Sequence, residues 1–380
     1  MNNMREIKVL FATRNDALSH RGGDTVQMLK TKEFLEKNFP IKIHIALNET
    51  DFVEHRDADL VHIFNIQTID ETLKYVDLCE KFNKKFTFST IYWDLSHYIY
   101  NTFLINTFNY MNINKSSYQY KDFVMNLKKF AGLILNKGDQ YGSKNYVQKR
   151  RKVLEKADIL LPNSNEELEI LEKEFGLKGL MEKTIVVPNA VDLKASTNTK
   201  LSLEWLNKLE NIVLEVGRIE PTKNQAGVVK ALENHPEIPI VFVGRVHNEK
   251  YAEYVRKLAN KRGNVHFINQ IDHEEIFALY RKAAVHALPS FRESPGLSSL
   301  EALFSGCNIV ASSVEYCPVQ YYKFDQYGEV CNPYDPESIK TAILTALKKD
   351  RVKLPENYFE DYSYQRAAEL TYKAYEKLVF

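Results

Sequence analysis

The sequence has few of the residues that build disulfide-bonded, zinc-binding or membrane-spanning proteins. Its 380 residues include four cysteines, without a C-x-x-C pair or a histidine companion, so we expect reduced thiols rather than disulfides or zinc. No apolar run approaches the ~20 residues of a membrane span. The apolar stretch Val9 to Ala12 is too short for a signal-peptide core. We therefore expect a cytoplasmic protein.

An excess of charge of one sign is also missing. The 51 Lys and Arg residues balance 50 Asp and Glu residues, and a net charge of +1 gives no overall attraction to nucleic acid. The sequence has no G-x-S-x-G elbow, Walker P-loop or G-x-G-x-x-G fingerprint, so serine hydrolysis and the common nucleotide-binding motifs have no support. A hydrophobic fraction of 44% fits a globular protein, and the length suits two domains rather than one core.

Strands and helices alternate in both halves of the chain, which predicts two doubly wound α/β domains with a cleft between them. The predicted strands are 7–12, 41–46, 60–64, 85–91, 158–162, 184–187, 212–216, 240–243, 265–268, 284–288 and 308–311. The polar segment 188–200 has no periodicity and marks the domain boundary. We predict domains over residues 1–190 and 191–362, followed by a helix over 363–380. Ligands of such sheets bind at the carboxyl ends of strands.

Residues 97–150 interrupt the alternation and predict mobile helices and loops rich in basic and aromatic residues. Ten Lys or Arg and three Asp or Glu lie between Lys121 and Lys156. The apolar positions are Phe123, Leu127, Phe130 and Ile134, and the densest basic run is Lys149-Arg150-Arg151-Lys152. Such an amphipathic segment can lie on an anionic membrane surface or hold an anionic acceptor. A solvated helix face packed on its own domain explains the pattern equally well, whereas nucleic acid has less support.

Two cations follow the predicted strand 212–216. Gly217 allows close approach of the backbone to an anion, Arg218 offers a planar fork of donors, and Lys223 adds a point charge. Together they form a candidate diphosphate clamp. Two solvated surface charges are the alternative explanation for this pattern taken in isolation.

The stretch RESPGLSSLEALFSG (292–306) has the same construction, since a loop and a helix start follow the strand 284–288. Backbone N–H groups at the helix start attract an anion, whereas Glu293 and Glu301 suit the hydroxyls of a sugar. A nucleotide sugar offers both phosphates and hydroxyls. Alternatively, Ser298 and Glu301 form a helix capping box, and that role is compatible with binding.

Other polar groups have weaker signals. Asp57-Ala58-Asp59 precedes a strand, whereas the metal-binding D-x-D of sugar transferases follows one, so we expect a polar turn and no catalytic metal. His62 lies in an apolar run and is expected to be a satisfied core histidine. Trp93, Asp94 and His97 follow the strand 85–91, where either acceptor-side groups or an Asp-capped helix start with aromatic packing would fit.

Taken together, several motifs resemble the retaining glycosyltransferases of family four, the glycosyl transferases group 1, which have the GT-B fold. The motifs are VVPNAVD (186–192), VGRIEPTKN (216–224), RESPGLSSLEALFSGCNIVAS (292–312), CNPYDPESI (331–339) and YSYQRAAELTYKAY (362–375). The first half of the chain resembles the family only through RGGDTVQ (21–27) and DADLVHIFN (57–65). The E-x7-E motif with a Gly-Arg…Lys motif upstream is specific, whereas either motif alone is not.

The resemblance implies a role for each matching residue. Arg218 and Lys223 would grip the donor diphosphate and stabilise the departing nucleotide, Glu293 would contact the transferred sugar, and Glu301 would hold the ribose. The implied donor-binding set is Gly22, Gly23, Gly217, Arg218, Lys223, Pro295, Gly296, Leu297 and Glu301. The implied catalytic set is Arg218, Lys223, Glu293 and His97, with Trp93, Asp94 and His97 on the acceptor side. The last helix would return to the first domain.

Two departures from the family pattern concern the sugar pocket and the acceptor side. Pro295 replaces the usual aromatic residue before the glycine, and it stiffens the turn. Trp93-Asp94 stands where the family often has His-Asp, with His97 three residues beyond the aspartate.

The resemblance implies a metal-independent, retaining, front-face transfer of a hexose from a nucleoside-diphosphate sugar to a glycan or lipid-linked glycan. A UDP-sugar is the first choice of donor and GDP-mannose the second. The alternatives are a non-catalytic nucleotide-sugar-binding subunit and a nucleotide-sugar epimerase of similar architecture. Beyond the nucleotide sugar, no cofactor is expected. The basic segment 121–156 also leaves open that the protein contacts the inner face of the membrane.

Overall fold

The computed structural model describes residues 5–20, 22–135, 139–191, 199 and 201–380, with the side chains of 132–135 left aside. The chain forms two compact units. Unit 1 comprises Met1–Tyr92, Leu127–Ala190 and Glu360–Phe380, and unit 2 comprises Trp93–Asn126 and Val191–Phe359. Most of the polar segment 188–200, where the boundary was predicted, and Ile134 of the basic segment lie outside the described residues or side chains.

The elements are numbered in chain order. The strands are β1 Ile7–Ala12, β2 Ile41–Ala46, β3 Leu60–Phe64, β4 Phe86–Ser89, β5 Ile159–Leu160, β6 Val213–Val216, β7 Ile240–Val243, β8 Val265–Ile268, β9 Val285–Leu288, β10 Asn308–Ser312 and β11 Glu329–Cys331. The helices are α1 Gly23–Asn38, α2 Glu49–Glu54, α3 Ile69–Lys81, α4 Ser96–Phe108, α5 Lys115–Tyr118, α6 Lys121–Leu135, α7 Lys144–Lys156, α8 Asn165–Phe175, α9 Gln225–Ala231, α10 Glu249–Arg262, α11 His273–Lys282, α12 Leu297–Phe304, α13 Phe324–Tyr327, α14 Pro336–Lys348, α15 Glu356–Asp361 and α16 Tyr364–Val379.

Unit 1 is built on a parallel sheet in the order β2-β1-β3-β4-β5. The central strand β3 is buried along its whole length because helices cover both sides of the sheet. The last helix, α16, packs against α1 within this unit, where Tyr372 stacks on Phe39 with 4.2 Å between ring centroids. Tyr375 of the same helix is fully buried in the core with Ile7 and Leu60.

Unit 2 contains a parallel sheet in the order β11-β10-β9-β6-β7-β8. Strands β6 and β9 are neighbours although two strands separate them in sequence, so the direction of winding reverses between them. This reversal makes the space beyond the carboxyl ends of β6 and β9 the expected ligand position of the sheet. The pairing of Val213 with Val285 and of Leu214 with His286 fixes the register there.

The alternation predicted from sequence is confirmed for most strands, and two differences have a physical cause. Residues 184–187 do not form a strand, since their contact with β5 is a single bridge at Leu160 and Thr184. The three-residue strand β11 was missed because its sequence, Glu329-Val-Cys331, is too short for a periodic signal.

The segment predicted as mobile helices and loops, residues 97–150, contains α4 to α7. Its first part belongs to unit 2 rather than with residues 1–92, because its aromatic side chains pack there. Tyr118 lies 4.6 Å from Tyr334 between ring centroids, and Ile105 joins the apolar core that also holds Val213.

His62 is a satisfied core histidine, as predicted. Its Nδ1 lies 2.6 Å from the Tyr375 hydroxyl, and its Nε2 lies 2.8 Å from the Ser89 hydroxyl. Burial lowers the pKa of His62 to about 3, so the imidazole is neutral and has a structural role.

Glu167 joins two strand ends in unit 1. It belongs to α8, which has Ser164 as N-cap and Gly176 as C-cap. Its fully buried carboxylate accepts hydrogen bonds from the N–H groups of Tyr92 (2.6 Å) and Asn163 (2.8 Å) and from the Thr90 hydroxyl. One side chain thus satisfies backbone donors that follow β4 and β5.

The basic run 149–152 is largely neutralised within unit 1. Lys149 and Lys152 pair with Asp70 and Asp77 of α3, with the latter contact at 2.7 Å. Buried Arg150 makes two bonds to Asp139, at 2.7 and 2.9 Å, and Arg151 pairs with Glu155. Lys149 and Lys152 thus link α7 to α3, so these cations already have acidic partners, and contact of the run with a membrane surface stays a prediction.

The apolar side of α6 remains exposed. Phe123, Leu127 and Phe130 are 65, 52 and 63% exposed, and they recur at helical spacing on one face. This exposure contradicts the interpretation that the apolar face packs on its own domain. Among the described residues, no helix is long and apolar enough to cross a bilayer.

All four cysteines are buried, and no disulfide joins them. Burial raises the pKa of Cys307 and Cys331 to about 12 and raises that of Cys79 as well. The expectation of reduced thiols without disulfides holds for these residues.

Candidate functional site

The loops that follow β6 and β9 in unit 2 meet at the reversal of the sheet. The N–H of Phe291 donates to the carbonyl of Thr222 at 2.8 Å, which ties the two loops together. Lys223 extends over Gly217, where a Cβ would lie 3.7 Å from its side-chain carbons. The sequence motifs at 217–223 and 292–301 therefore come together as the strand order requires.

Lys223 and Glu293 form a largely buried ion pair. The Nζ atom of Lys223 donates to Oε1 of Glu293 at 2.6 Å, and the two side chains are 18 and 9% exposed. The N–H of Glu293 donates to the carbonyl of Tyr316 at 2.8 Å, so the backbone holds the carboxylate in place. The predicted phosphate cation and the predicted sugar carboxylate are thus direct partners.

Arg218 points outward from the same loop. Its side chain is 60% exposed, and its Nη2 lies 3.1 Å from Oε1 of buried Glu220. A guanidinium that donates one Nη2 bond to a carboxylate and is otherwise open to solvent retains donors for a phosphate.

Helix α12 starts at Leu297 behind a turn that requires glycine. Gly296 is the N-cap with φ 86°, a left-handed conformation that favours glycine, and a Cβ there would lie 3.4 Å from Glu293 and Leu288 atoms. The peptide bond between Ser294 and Pro295 is cis. The first N–H groups of α12 leave the helix in the direction of its amino end, where an anion is stabilised.

Glu301 does not cap the helix, which corrects the predicted capping box. The helix begins one residue before Ser298, and its N-cap makes no side-chain capping bond in the part of the chain described. Instead, the carboxylate of Glu301 lies 3.3 Å from His273 Nε2 and accepts from the Tyr280 hydroxyl at 3.3 Å. Glu301 therefore has no local helix-capping role that competes with ligand binding.

His97 belongs to an aromatic cluster in unit 2. It is 5% exposed, its Nδ1 lies 3.0 Å from the Tyr334 hydroxyl, and its ring meets that of Tyr316 edge-on at 4.8 Å. Burial lowers the pKa of His97 to about 4. Asp94 accepts from the Ser96 N–H at 2.7 Å, so the structure favours the packing and helix-start interpretation of this segment.

Trp93 is also buried, with its Nε1 donating to the carbonyl of Glu315 at 3.4 Å. Arg292, the neighbour of Glu293, donates to the Trp93 carbonyl at 3.4 Å. The predicted acceptor-side residues Trp93 and His97 thus contact the segment around Tyr316 that supports Glu293.

Gly22 and Gly23 lie at the start of α1 in unit 1, beside a network that sequence reasoning missed. Arg14 donates to the carbonyl of His20 at 2.8 Å and to the Thr25 hydroxyl at 3.2 Å, and it pairs with Asp24. Arg21, between these residues in the motif, lies outside the described residues. The role of the two glycines toward a donor stays a prediction.

Asp57 and Asp59 occupy the polar turn before β3 that was predicted for them. Asp57 pairs with Lys8 at 2.7 Å, and Asp59 accepts from the Lys8 N–H at 2.8 Å and pairs with Arg5. Their carboxylates fix this turn to the start of β1.

The described residues of each unit line a cavity. One of about 50 Å³ lies in unit 1, where Asp24, Ser89 and Asn163 line it at the carboxyl ends of strands. A larger one of about 610 Å³ lies in unit 2 between residues 109–112 and α10, and none of the predicted site residues lines it. Size alone therefore does not identify the site.

Sequence reasoning also missed Glu215, the penultimate residue of β6. It is 1% exposed, and it lies close to Lys223 and Glu293. The available signal was one charged residue within the apolar run Ile212-Val-Leu-Glu-Val216.

Comparison with known proteins agrees with the motifs in the second half of the chain. Residues 204–366 match the family model described as glycosyl transferases group 1. The D-inositol 3-phosphate glycosyltransferase of Corynebacterium glutamicum is 25% identical over 220 residues, which cover 54% of this chain and 52% of that protein. The chain therefore spans about half the length of this curated relative.

The fold is that of solved GT-B glycosyltransferases. Sucrose-phosphate synthase from Thermosynechococcus elongatus superposes with a TM-score of 0.73 at 18% identity, over 98% of this chain and 99% of that one. The Anabaena protein HepE, solved in complex with UDP-glucose, gives a TM-score of 0.61 at 14% identity, over 98 and 99% of the chains. The predicted fold class, two doubly wound α/β domains of GT-B type, is confirmed.

Proposed function

We propose, from the match of residues 204–366 to the glycosyl transferases group 1 family model, that this chain transfers a hexose from a nucleoside-diphosphate sugar to a glycan or lipid-linked glycan. The observation that carries the proposal is the Lys223–Glu293 pair at the reversal of the unit 2 sheet. An anion-binding and a sugar-binding group meet there, beyond the carboxyl ends of β6 and β9.

The diphosphate is proposed to bind Arg218, Lys223 and the first N–H groups of α12. Arg218 is exposed and oriented by Glu220, and Lys223 can exchange its bond to Glu293 for one to a phosphate oxygen. These positive groups stabilise the charge that develops on the departing nucleotide. Because they supply this charge, we propose a transfer that needs no metal ion.

The two glutamates are proposed to bind hydroxyls. Glu293, released from Lys223 by the donor phosphates, accepts from hydroxyls of the transferred sugar. Glu301, held by Tyr280, accepts from the ribose diol. Two carboxylates beside an anion-binding helix start serve the polyol parts of the ligand, since they would repel its phosphates.

The transfer is proposed to retain the configuration at the sugar's reacting carbon. The acceptor oxygen attacks from the side that the diphosphate leaves, and a donor phosphate oxygen takes the acceptor's proton. His97 is buried and bonded to Tyr334, so we assign it a positioning role through Tyr316, whose carbonyl holds the Glu293 N–H.

A panel of nucleotide sugars tests the proposal. We expect release of nucleoside diphosphate with a UDP-sugar, and HepE with its bound UDP-glucose supports uridine as the first base to try. GDP-mannose is the second arm. The measurement is coupled detection of the released diphosphate, with and without a glycan or glycolipid acceptor.

Each outcome separates the proposal from its rivals. Tight donor binding by calorimetry without turnover, across acceptors, would identify a binding subunit. Altered nucleotide-linked sugars without an acceptor would identify an epimerase. If no donor bound or reacted, the proposed function would be wrong. A Glu301→Ala variant should lose about tenfold or more in donor affinity, whereas exposed Glu274→Ala should not.

We also propose that the exposed apolar face of α6 attaches the protein peripherally to an anionic membrane that carries a lipid-linked acceptor. Phe123, Leu127 and Phe130 supply the apolar contact, and Lys128 and Lys129 lie on the same helix. An amphipathic helix of this kind lies in the interface plane of a bilayer.

Vesicle sedimentation tests this attachment. The triple variant Phe123→Ser, Leu127→Ser and Phe130→Ser should bind vesicles of phosphatidylglycerol and phosphatidylcholine at least about tenfold more weakly, since each side chain loses apolar contact with the lipid. Reversing Lys149 and Lys152 is no substitute, because both pair with α3. Equal sedimentation of wild type and triple variant would contradict the attachment.

A further inference from the structure

Glu215 places a carboxyl group inside the unit 2 sheet. Strand β6 lies between β7 and β9, and Glu215 shares a face with Val213, which packs in the apolar core with α9 and α10. Only 1% of Glu215 is exposed. Glu215 is two residues before Gly217, over which Lys223 extends.

The carboxyl oxygens of Glu215 lack hydrogen-bond partners. Among the described residues, neither Oε1 nor Oε2 has one, and Lys223, whose charge attracts the Glu215 carboxyl, makes its bond to Glu293. An isolated buried carboxylate is costly, and a second negative charge beside Glu293 adds to the cost. One lysine and two carboxyls form a neutral group only when one carboxyl carries a proton. Glu215 is the carboxyl without the ion pair.

Gln225 connects Glu215 to the phosphate-binding turn. The Gln225 side chain is fully buried and faces the Glu215 carboxyl, and its Nε2 donates to the Arg218 carbonyl at 3.0 Å. Its Oε1 has no partner in the described part of the chain. A single proton on the Glu215 carboxyl gives Gln225 Oε1 the donor that it lacks. The same hydrogen bond gives the protonated carboxyl an acceptor.

We propose that Glu215 is a neutral carboxylic acid and a positioning residue, which donates to Gln225, fixes the Gly217–Arg218 turn and does not draw Lys223 away from Glu293 and the donor diphosphate. The diphosphate part of this inference rests on the proposed function. A carboxylate at the same place would attract Lys223 and compete with the phosphates.

The surroundings of Glu215 agree with a neutral state. Burial raises the pKa of Glu215 well above its usual range, and the Glu293 carboxylate adds to this shift, whereas the attraction of Lys223 and the Gln225 side chain oppose it. Tyr251 of α10 also faces Glu215, and burial raises the pKa of that hydroxyl. On β9, His286 is neutral because burial lowers its pKa to about 3.

The pH dependence of unfolding tests the neutral state. A carboxyl that holds its proton in the folded chain and releases it in the unfolded chain, above a pKa of about 4.3, loses stability as pH rises. Above pH 5.5, the unfolding constant of wild type, divided by that of Glu215→Gln, should rise with pH, by up to about tenfold per pH unit for as long as the folded chain keeps this proton. A ratio that stays constant would overturn the neutral state.

Binding of UDP and GDP by calorimetry tests the positioning role. At pH 7, Glu215→Gln should keep wild-type affinity, because its amide also donates to Gln225. Glu215→Leu should weaken binding at least about tenfold, and Gln225→Met should do the same without altering the carboxyl. Wild-type affinity in folded Glu215→Leu and Gln225→Met would overturn the positioning role. If the wild type bound neither nucleotide, the proposed function would fail, and the unfolding ratio would still decide the charge of Glu215.

Discussion

Replacing Lys223 with methionine is expected to lower nucleotide-sugar turnover strongly and to lower the free energy of unfolding by about 3 kcal/mol. The loss of activity follows from the lost phosphate cation, and we expect kcat/KM to fall by a factor of about 10² to 10³. The loss of stability follows from Glu293, which is 9% exposed and would keep its buried charge without the Nζ partner at 2.6 Å.

A double variant separates these two effects. In Lys223→Met with Glu293→Gln, no unpaired charge remains at this position, so most of the stability should return while the activity stays low. Denaturant unfolding and release of nucleoside diphosphate measure the two quantities on the same preparations. Wild-type turnover by Lys223→Met would remove Lys223 from the proposed site.

Removing the Glu167 carboxylate is expected to cost unit 1 about 3 kcal/mol or more. In Glu167→Ala, the N–H groups of Tyr92 and Asn163 lose acceptors at 2.6 and 2.8 Å, and a cavity opens where the side chain was fully buried. Because these donors follow β4 and β5, the substitution should destabilise the part of unit 1 at the carboxyl ends of these strands.

The matched control lies on the same helix. Glu169 is exposed, and Glu169→Ala should change the free energy of unfolding by no more than about 0.5 kcal/mol. Denaturant unfolding followed by circular dichroism measures both variants. A change below about 1 kcal/mol in Glu167→Ala would show that the donors find other partners, and the proposed anchoring would be rejected.

Much of the unit 2 site was predictable from sequence because the geometry of a parallel sheet brings the loops after its strands together. Gly217 and Glu293 follow strands that the alternation identifies, and carboxyl ends of parallel strands share one edge. The strand order could not be predicted from this alternation, because it depends on which edges pair. The direct bond between Lys223 and Glu293 could not be predicted either, since it joins residues 70 positions apart through two loop conformations.

Local patterns failed where tertiary contacts decide. The predicted cap by Ser298 and Glu301 satisfies a sequence rule, yet Gly296 starts the helix earlier and Tyr280 holds Glu301. The basic run at 149–152 gives the same lesson, because the acids that neutralise Lys149 and Lys152 lie on α3, far away in sequence. The composition gives the number of charged residues, whereas the fold decides which of them form ion pairs.

The buried thiols have a practical consequence for studying the two units. A thiol reacts through its thiolate, and burial keeps Cys79, Cys307 and Cys331 protonated, while Cys317 is buried as well. The native cysteines should therefore react little with fluorescent or spin labels that target cysteines introduced on the surface. A label pair, with one probe in each unit, can report distance changes when a nucleotide sugar is added, without first replacing the native cysteines.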